Sequence, residues 1–291
     1  MAQNVIALIS DCDGTICPDT ATLLVRELGL DPVSFWRDVN LDVQRGWDPP
    51  LAWLTHLITL SQAGKIPPLT QDLLQRVGEA IELYPGVEDF VQRIRDRLLG
   101  RPEFRDAGVA VEWYIVSSGI EELIQATPIG RLATEVYGCR LAYNDDGQVI
   151  AVKSSVTFTE KTKFIYAINK GIAAEELYRT PYRVNDAIEK AQRRVPFPHM
   201  VYLGDGPSDI PCFSMVKSNG GHAIGVIPPD DSDLLKPFEL AAGQRLTVGP
   251  YGADYRDGSD LFRMLSRIVE SIGADIVVER AQQLRTGPRY P

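Results

Sequence analysis

Cysteine is scarce in this chain: Cys12, Cys17, Cys139 and Cys212 are the only four among 291 residues. So few and so scattered, they cannot staple a secreted scaffold, and they point to reduced thiols in a cytoplasmic protein. Histidine is scarcer still. His56, His199 and His222 lack metal-ligand spacing, which speaks against a histidine-built metal centre and leaves them structural or solvated. No apolar run approaches the roughly 20 residues of a membrane span, and no basic segment followed by a long apolar stretch reads as a secretory signal. Positive charge is in deficit, with 30 Lys and Arg against 39 Asp and Glu and a net charge of −9. That balance argues against nucleic acid or an anionic membrane as a partner. There is no internal repeat, no low-complexity tract and no signal of oligomeric state.

What is present begins with Val5-Ile6-Ala7-Leu8-Ile9, an apolar run that reads as a buried strand, followed by Ser10-Asp11-Cys12-Asp13-Gly14-Thr15. Residues two apart on an extended chain project to the same side, so Asp11 and Asp13 are expected to face one small volume. Two acids there are costly unless a cation or a proton settles the charge. Gly14 permits a tight turn. The arrangement suits metal-assisted chemistry on a phosphate. Cys12, alternating with the acids, is expected to be small, buried and turned away from them.

From Pro18 to Leu83 the pattern predicts helices only: Thr20 to Leu28, a short segment after Asp31-Pro32, Leu51 to Leu60, and Leu73 to Leu83 capped by Thr70. Trp36, Trp47 and Trp53 read as core of this block. Pro85-Gly86 breaks the pattern. Beyond it come a helix from Val87 to Leu99, a strand from Val109 to Ser117, strands at Val201 and Ala223–Ile227, and helices near Lys163, Asp209 and Leu261. Such alternation predicts an α/β fold, a doubly wound parallel sheet whose ligands gather beyond the carboxyl ends of the strands. Leu141 to Ile150 reads as a β-hairpin with Asp146-Gly147 in its turn. The basic stretch Arg179, Arg183, Lys190, Arg193 and Arg194 reads as a solvated face, and Arg280 to Pro291 as a fraying helix end.

Four segments carry a resemblance. Asp11-Cys12-Asp13-Gly14-Thr15, then Val111–Val116 ending in Ser117-Ser118-Gly119, then Thr159-Glu160-Lys161-Thr162-Lys163-Phe164, then Val201 to Asp209 with Gly204-Asp205-Gly206-Pro207-Ser208-Asp209, follow in order. They resemble the four motifs of the haloacid-dehalogenase-like (HAD) hydrolases, and the layout resembles the phosphoserine-phosphatase-like branch. The resemblance implies a Rossmann-like core over residues 1–15 and 85–291 with a helical cap inserted at 16–84. It further implies a Mg²⁺-dependent phosphomonoesterase acting on a small phosphorylated metabolite.

In that family's terms Asp11 is the nucleophile that forms an aspartyl-phosphate, and Asp13 is the acid and then the base. Ser117, with the backbone N–H groups of Ser118 and Gly119, binds phosphate. Mg²⁺ is held by Asp11, the main-chain carbonyl of Asp13, and Asp205, with Asp209 just outside. Lys161 is the preferred motif-three lysine because Phe164, Ile165 and Ile168 follow it as a helix face; Lys163 is the rival. Phosphotransfer to another acceptor, dehalogenation and a non-catalytic binding role are the alternatives. One departure bears on substrate: the serine phosphatases carry a glutamate soon after motif one, whereas here Ile16-Cys17-Pro18-Asp19-Thr20 offers only Asp19.

Overall fold

A computed structural model describes residues 3–229, 239, 243 and 245–286. Strand β1 (Val5–Ser10) is buried along its whole length, as a strand covered on both faces must be. It pairs in parallel with β2 (Ala110–Ile120) on one side and β5 (Met200–Gly204) on the other. The seven-stranded sheet runs β4-β3-β2-β1-β5-β6-β7, and all its pairings are parallel except that of β3 (Glu135–Tyr143) with β4 (Val149–Ser154). Strands β6 (His222–Ile227) and β7 (Val248–Gly252) close the other edge. This is the expected α/β class. The centre of the sheet holds Trp113, which packs edge-on against Phe90 and donates its indole N–H to Ser10 Oγ at 3.0 Å.

Four helices stand between β1 and the Pro85-Gly86 break: α1 (Thr20–Glu27), α2 (Pro32–Gln44), α3 (Pro49–Gln62) and α4 (Gln71–Glu79). Each starts where a side chain takes up a free backbone N–H. Asp19, Asp31, Asp48 and Thr70 accept from Thr22, Ser34, Leu51 and Leu73 respectively. Trp53 is buried among these helices and Trp36 half-buried, but Trp47 is exposed. That corrects the core reading: Trp47 follows Gly46 in the turn between α2 and α3, outside either helix's apolar stripe. The β3–β4 hairpin turns at Asn144–Gln148, where Asn144 Oδ1 accepts from two backbone N–H groups. It also grips the helical segment: Val149 N–H donates to Leu69 O at 2.8 Å, and Gln71 N–H to Gly147 O at 3.2 Å.

Among the described residues the further α-helices are α5 (Phe90–Leu99), α6 (Pro102–Asp106), α7 (Glu121–Ala126), α8 (Glu160–Lys170), α9 (Ala174–Arg179), α10 (Ile210–Ser218) and α11 (Asp260–Thr286). The last continues unbroken past Arg280, where fraying was expected; residues 287–291 lie outside the described residues. The basic stretch is not uniformly solvated either. Arg194 reaches across to Glu112 and the Tyr114 hydroxyl at the half-buried start of β2. No helix among the described residues is long and apolar enough to cross a membrane.

Candidate active site

The site is assembled where β1 and β5 end, beside the irregular last residues of their neighbour β2. Asp11 follows β1, and its backbone N–H extends the ladder to Leu203 O at 2.9 Å. Asp205 follows β5, and Ser117 lies in β2. Gly14, at φ +72°, turns the chain under the Asp205 carboxylate, and a Cβ there would collide with it. Gly204 leaves the same kind of room for the Asp209 carboxylate.

Lys161 is fully buried and donates from Nζ to Asp11 Oδ2 at 2.6 Å and to Asp209 Oδ1 at 2.8 Å. It occupies the first turn of α8, with Phe164, Ile165 and Ile168 as the buried stripe behind it. Lys163 instead faces outward and pairs with Glu160 at 2.6 Å. Asp209 also accepts from the Tyr202 hydroxyl at 2.7 Å and from Gly206 N–H at 3.3 Å. Thr15 Oγ1 approaches Asp205 at 3.5 Å. Thr15, Tyr202 and Gly204 fall inside the motif segments but had no role assigned from sequence; the period-2 parity of Tyr202 with Gly204 on β5 signalled only that the two share a face of the sheet.

Oxygen atoms of Asp11, Asp205 and Asp209 all lie within 4.8 Å of one another. Three carboxylates face one ammonium, which leaves two formal negative charges without a partner. The titration behaviour follows from that excess. Burial, and then the charge of Asp209, push Asp11 well above the usual carboxylate range. The same two causes push Asp205 up to about 7. Burial alone would lower Lys161, but Asp11 and Asp209 more than offset it and hold the lysine above its ordinary value. A hard divalent cation ringed by oxygen ligands would neutralise this excess, so the residues present fit Mg²⁺.

Asp13 sits beside this cluster and is only half-buried. Its Oδ1 accepts Thr20 N–H at 2.7 Å, and Ser117 Oγ stands 3.4 Å from its Oδ2. Burial, and then Asp19, raise it to about 6 despite the Thr20 hydrogen bonds. A carboxyl poised there can exchange a proton near neutral pH. Cys12 is fully buried, as expected, but not remote from the acids. The strand ends at Ser10, the chain turns, and the Cys12, Cys17 and Asp13 ligand atoms come within 4.8 Å of one another.

Strand β2 does not stop at Ser117. It continues to Ile120, but between Val116↔Tyr137 and Ile120↔Cys139 four residues of β2 advance against two of β3. This irregularity re-aims Ser117, Ser118 and Gly119 out of the ladder. The Gly119 N–H, expected to be free for phosphate, donates to Ser117 Oγ at 2.9 Å. Ser118 is half-buried beside it. Asp19, the one acid available to replace the glutamate of serine phosphatases, is taken up in capping α1 through Thr22 N–H and Oγ1.

No protein-family model matches the chain. An uncharacterised protein of Borreliella burgdorferi is 27% identical over 289 residues, covering 90% of this chain and 96% of that one. Among solved structures, a phosphoserine phosphatase holding a phospho-aspartyl intermediate analogue superposes with a TM-score of 0.55 at 14% identity, over 91% of this chain and 99% of that chain. A probable phosphoserine phosphatase from Vibrio cholerae gives 0.53 at 12% identity, over 96% and 68% respectively. Cytosolic 5′-nucleotidase IIIB bound to cytidine gives 0.52 at 14%, over 93% and 86%. The chain has the HAD fold in its phosphoserine-phosphatase-like form.

Proposed function

We propose that this protein is a Mg²⁺-dependent phosphomonoesterase that hydrolyses a small phosphorylated metabolite through an aspartyl-phosphate. The observation that carries the reading is the meeting of Asp11, Lys161, Asp205 and Asp209 in one cluster beyond β1 and β5, with Asp13 and Ser117 alongside. The Asp11 carboxylate attacks phosphorus in line. The bond from phosphorus to the substrate oxygen breaks, and Asp13 gives that oxygen its proton. Asp13 then takes a proton from the water that attacks the aspartyl-phosphate, and inorganic phosphate leaves. Lys161 holds the Asp11 carboxylate in place and adds positive charge where phosphate oxygens gather. Ser117 offers its hydroxyl to the phosphate, next to the backbone of Ser118 and Gly119.

Asp11, Asp205 and the main-chain carbonyl of Asp13 would hold Mg²⁺, with Asp209 orienting Lys161 from behind. When bound, the ion offsets repulsion between the anionic nucleophile and the anionic phosphate. Residues 16–84 act as the cap over a core of 1–15 and 85–291, which favours small substrates over phosphoproteins. With Asp19 committed to α1, a phosphorylated metabolite other than L-phosphoserine is the better fit. The four unpaired thiols accord with work in a cytoplasm.

The test is turnover of p-nitrophenyl phosphate. Activity that requires Mg²⁺ and is abolished by EDTA is the expected result, followed by a screen of phosphorylated metabolites. Absence of turnover with every phosphate ester tried, at saturating Mg²⁺, would overturn the reading.

A further inference from the structure

We infer that Cys12, Cys17 and Asp13 form a second cation site, specific for a thiophilic divalent ion of the zinc class, at which binding stops turnover. The inhibitory part of this inference rests on the proposed role of Asp13. The Cys12 and Cys17 sulfurs stand 3.5 Å apart, and a carboxylate oxygen of Asp13 lies within 4.8 Å of both. The turn that holds them is closed by its own backbone. Thr15, Ile16 and Cys17 N–H groups converge on Cys12 O, and Gly14 N–H donates to Cys17 O at 2.8 Å. The sulfurs are therefore set before any ion arrives. Both thiols are buried while Asp13 is half-buried, so an ion enters past the carboxylate.

The spacing selects the chemistry. A tetrahedral ion with metal–sulfur bonds of about 2.3 Å places two sulfur ligands about 3.8 Å apart. The pair has only to open by a few tenths of an ångström to reach this. A disulfide at about 2.05 Å would instead require the sulfurs to close by about 1.5 Å against a hydrogen-bonded turn. Thiolates prefer soft or borderline ions, whereas the all-oxygen cluster of Asp11, Asp205 and Asp209 prefers hard ones. Two sites of opposite preference thus share the loop from 11 to 17. On binding, two S–H bonds break, two metal–sulfur bonds form, and both protons pass to solvent. Asp13 completes three protein ligands and leaves a fourth position open. Held by the ion, its carboxylate can neither give nor take a proton.

The experiment has an arm independent of activity. Cd²⁺ titrated into the intact protein should produce a thiolate-to-cadmium charge-transfer band in the ultraviolet that saturates at one equivalent. The band should survive Cys139→Ser/Cys212→Ser and disappear in Cys12→Ser/Cys17→Ser, or in Cys17→Ala should the double variant fold poorly. In the p-nitrophenyl phosphate assay with Mg²⁺ present, buffered Zn²⁺ should inhibit, extra Mg²⁺ should not relieve it, and a chelating dithiol should. Cys12→Ser/Cys17→Ser should keep its turnover and need at least about tenfold more Zn²⁺ for inhibition.

Absence of the cadmium band overturns the site. So does inhibition shared equally by both proteins and relieved by Mg²⁺, which would put zinc among the carboxylates. Inactivation that persists after chelation and yields a Cys12–Cys17 disulfide would overturn it in favour of oxidation. A protein with a normal cadmium band and no phosphatase activity would instead overturn the proposed function and leave the metal site standing.

Discussion

Asp11 and Asp13 are two residues apart, yet their surroundings divide the work between them. Asp11 is gripped by a buried ammonium, whereas Asp13 meets a backbone N–H, a serine and open space. Asp11→Asn should therefore fold and bind Mg²⁺ weakly but show no turnover; activity like that of the parent protein would remove Asp11 as nucleophile. Asp13→Asn should lose about 10²–10⁴-fold with an alkyl phosphate, the scale of a positioned proton donor. Fast alkyl phosphate turnover in that variant would exclude the proton-transfer role.

Lys161 supports stability as well as rate. Lys161→Met should slow turnover by about 10²–10³-fold, and it leaves three carboxylates in one place with no cation. Repulsion within the cluster grows as Asp11 and Asp205, both raised by burial and then by Asp209, ionise. The stability lost by the variant should thus be small near pH 5 and widen toward pH 8, approaching the roughly 3–5 kcal/mol of a broken buried pair. Urea denaturation at the two pH values, without metal, measures this. A deficit independent of pH would mean that Lys161 contributes through packing alone.

At the scale of elements, α7 is tied to its neighbours by Glu121. The carboxylate accepts Gly138 N–H of β3 at 3.1 Å and the Tyr178 hydroxyl of α9, with Arg140 at 3.7 Å. Burial raises it from 4.5 to about 7 in spite of those partners. Between these values the folded chain binds the proton that the unfolded chain has lost. Stability is therefore complete below about pH 4.5 and declines as pH rises through about 7. The loss amounts to about 3 kcal/mol at most. Glu121→Gln keeps an acceptor for Gly138 and cannot ionise. Its melting temperature relative to the parent protein should rise from about pH 4.5 through about 7 and level off above that. A constant offset would show that the Glu121 charge is solvated or compensated.

The same elements explain how far the sequence could be read. Helical periodicity and capping residues announce α1, α3 and α4, because local hydrogen bonds from backbone N–H groups to Asp19, Asp48 and Thr70 decide where they begin. The β3–β4 turn is likewise local, set by Asn144 and Gly147. Strand β7 and the start of β3 at Glu135 were missed, since their pairing with β6 and β2 depends on neighbours distant in sequence. The motif segments marked the ends of β1 and β5 correctly and placed the end of β2 three residues early, at Ser117 instead of Ile120. They could not reveal that Ser117 takes the Gly119 N–H, that Asp19 is spent on a cap, or that Tyr202 supports Asp209, because each depends on where a backbone bends in three dimensions.

For the molecule as a whole, the carboxylate cluster couples metal, proton and folding. Without a cation, Asp11 and Asp205 are held protonated more than free carboxyls would be, and ionising them works against the fold. Mg²⁺ should reverse that balance by binding the folded chain alone, stabilising it by about 2.7 kcal/mol at a hundred times its dissociation constant. Proton and metal compete for Asp205, which titrates at about 7 without the ion. The Mg²⁺-induced rise in melting temperature should accordingly be slight at pH 5.5, increase through pH 7, and level off above it. Asp205→Asn removes both the ligand and the competing proton, so its shift should be smaller at every pH and lose the rise through neutrality. Differential scanning fluorimetry over a Mg²⁺ series at several pH values measures both. If parent and variant shift equally, the ion does not bind at the end of β5.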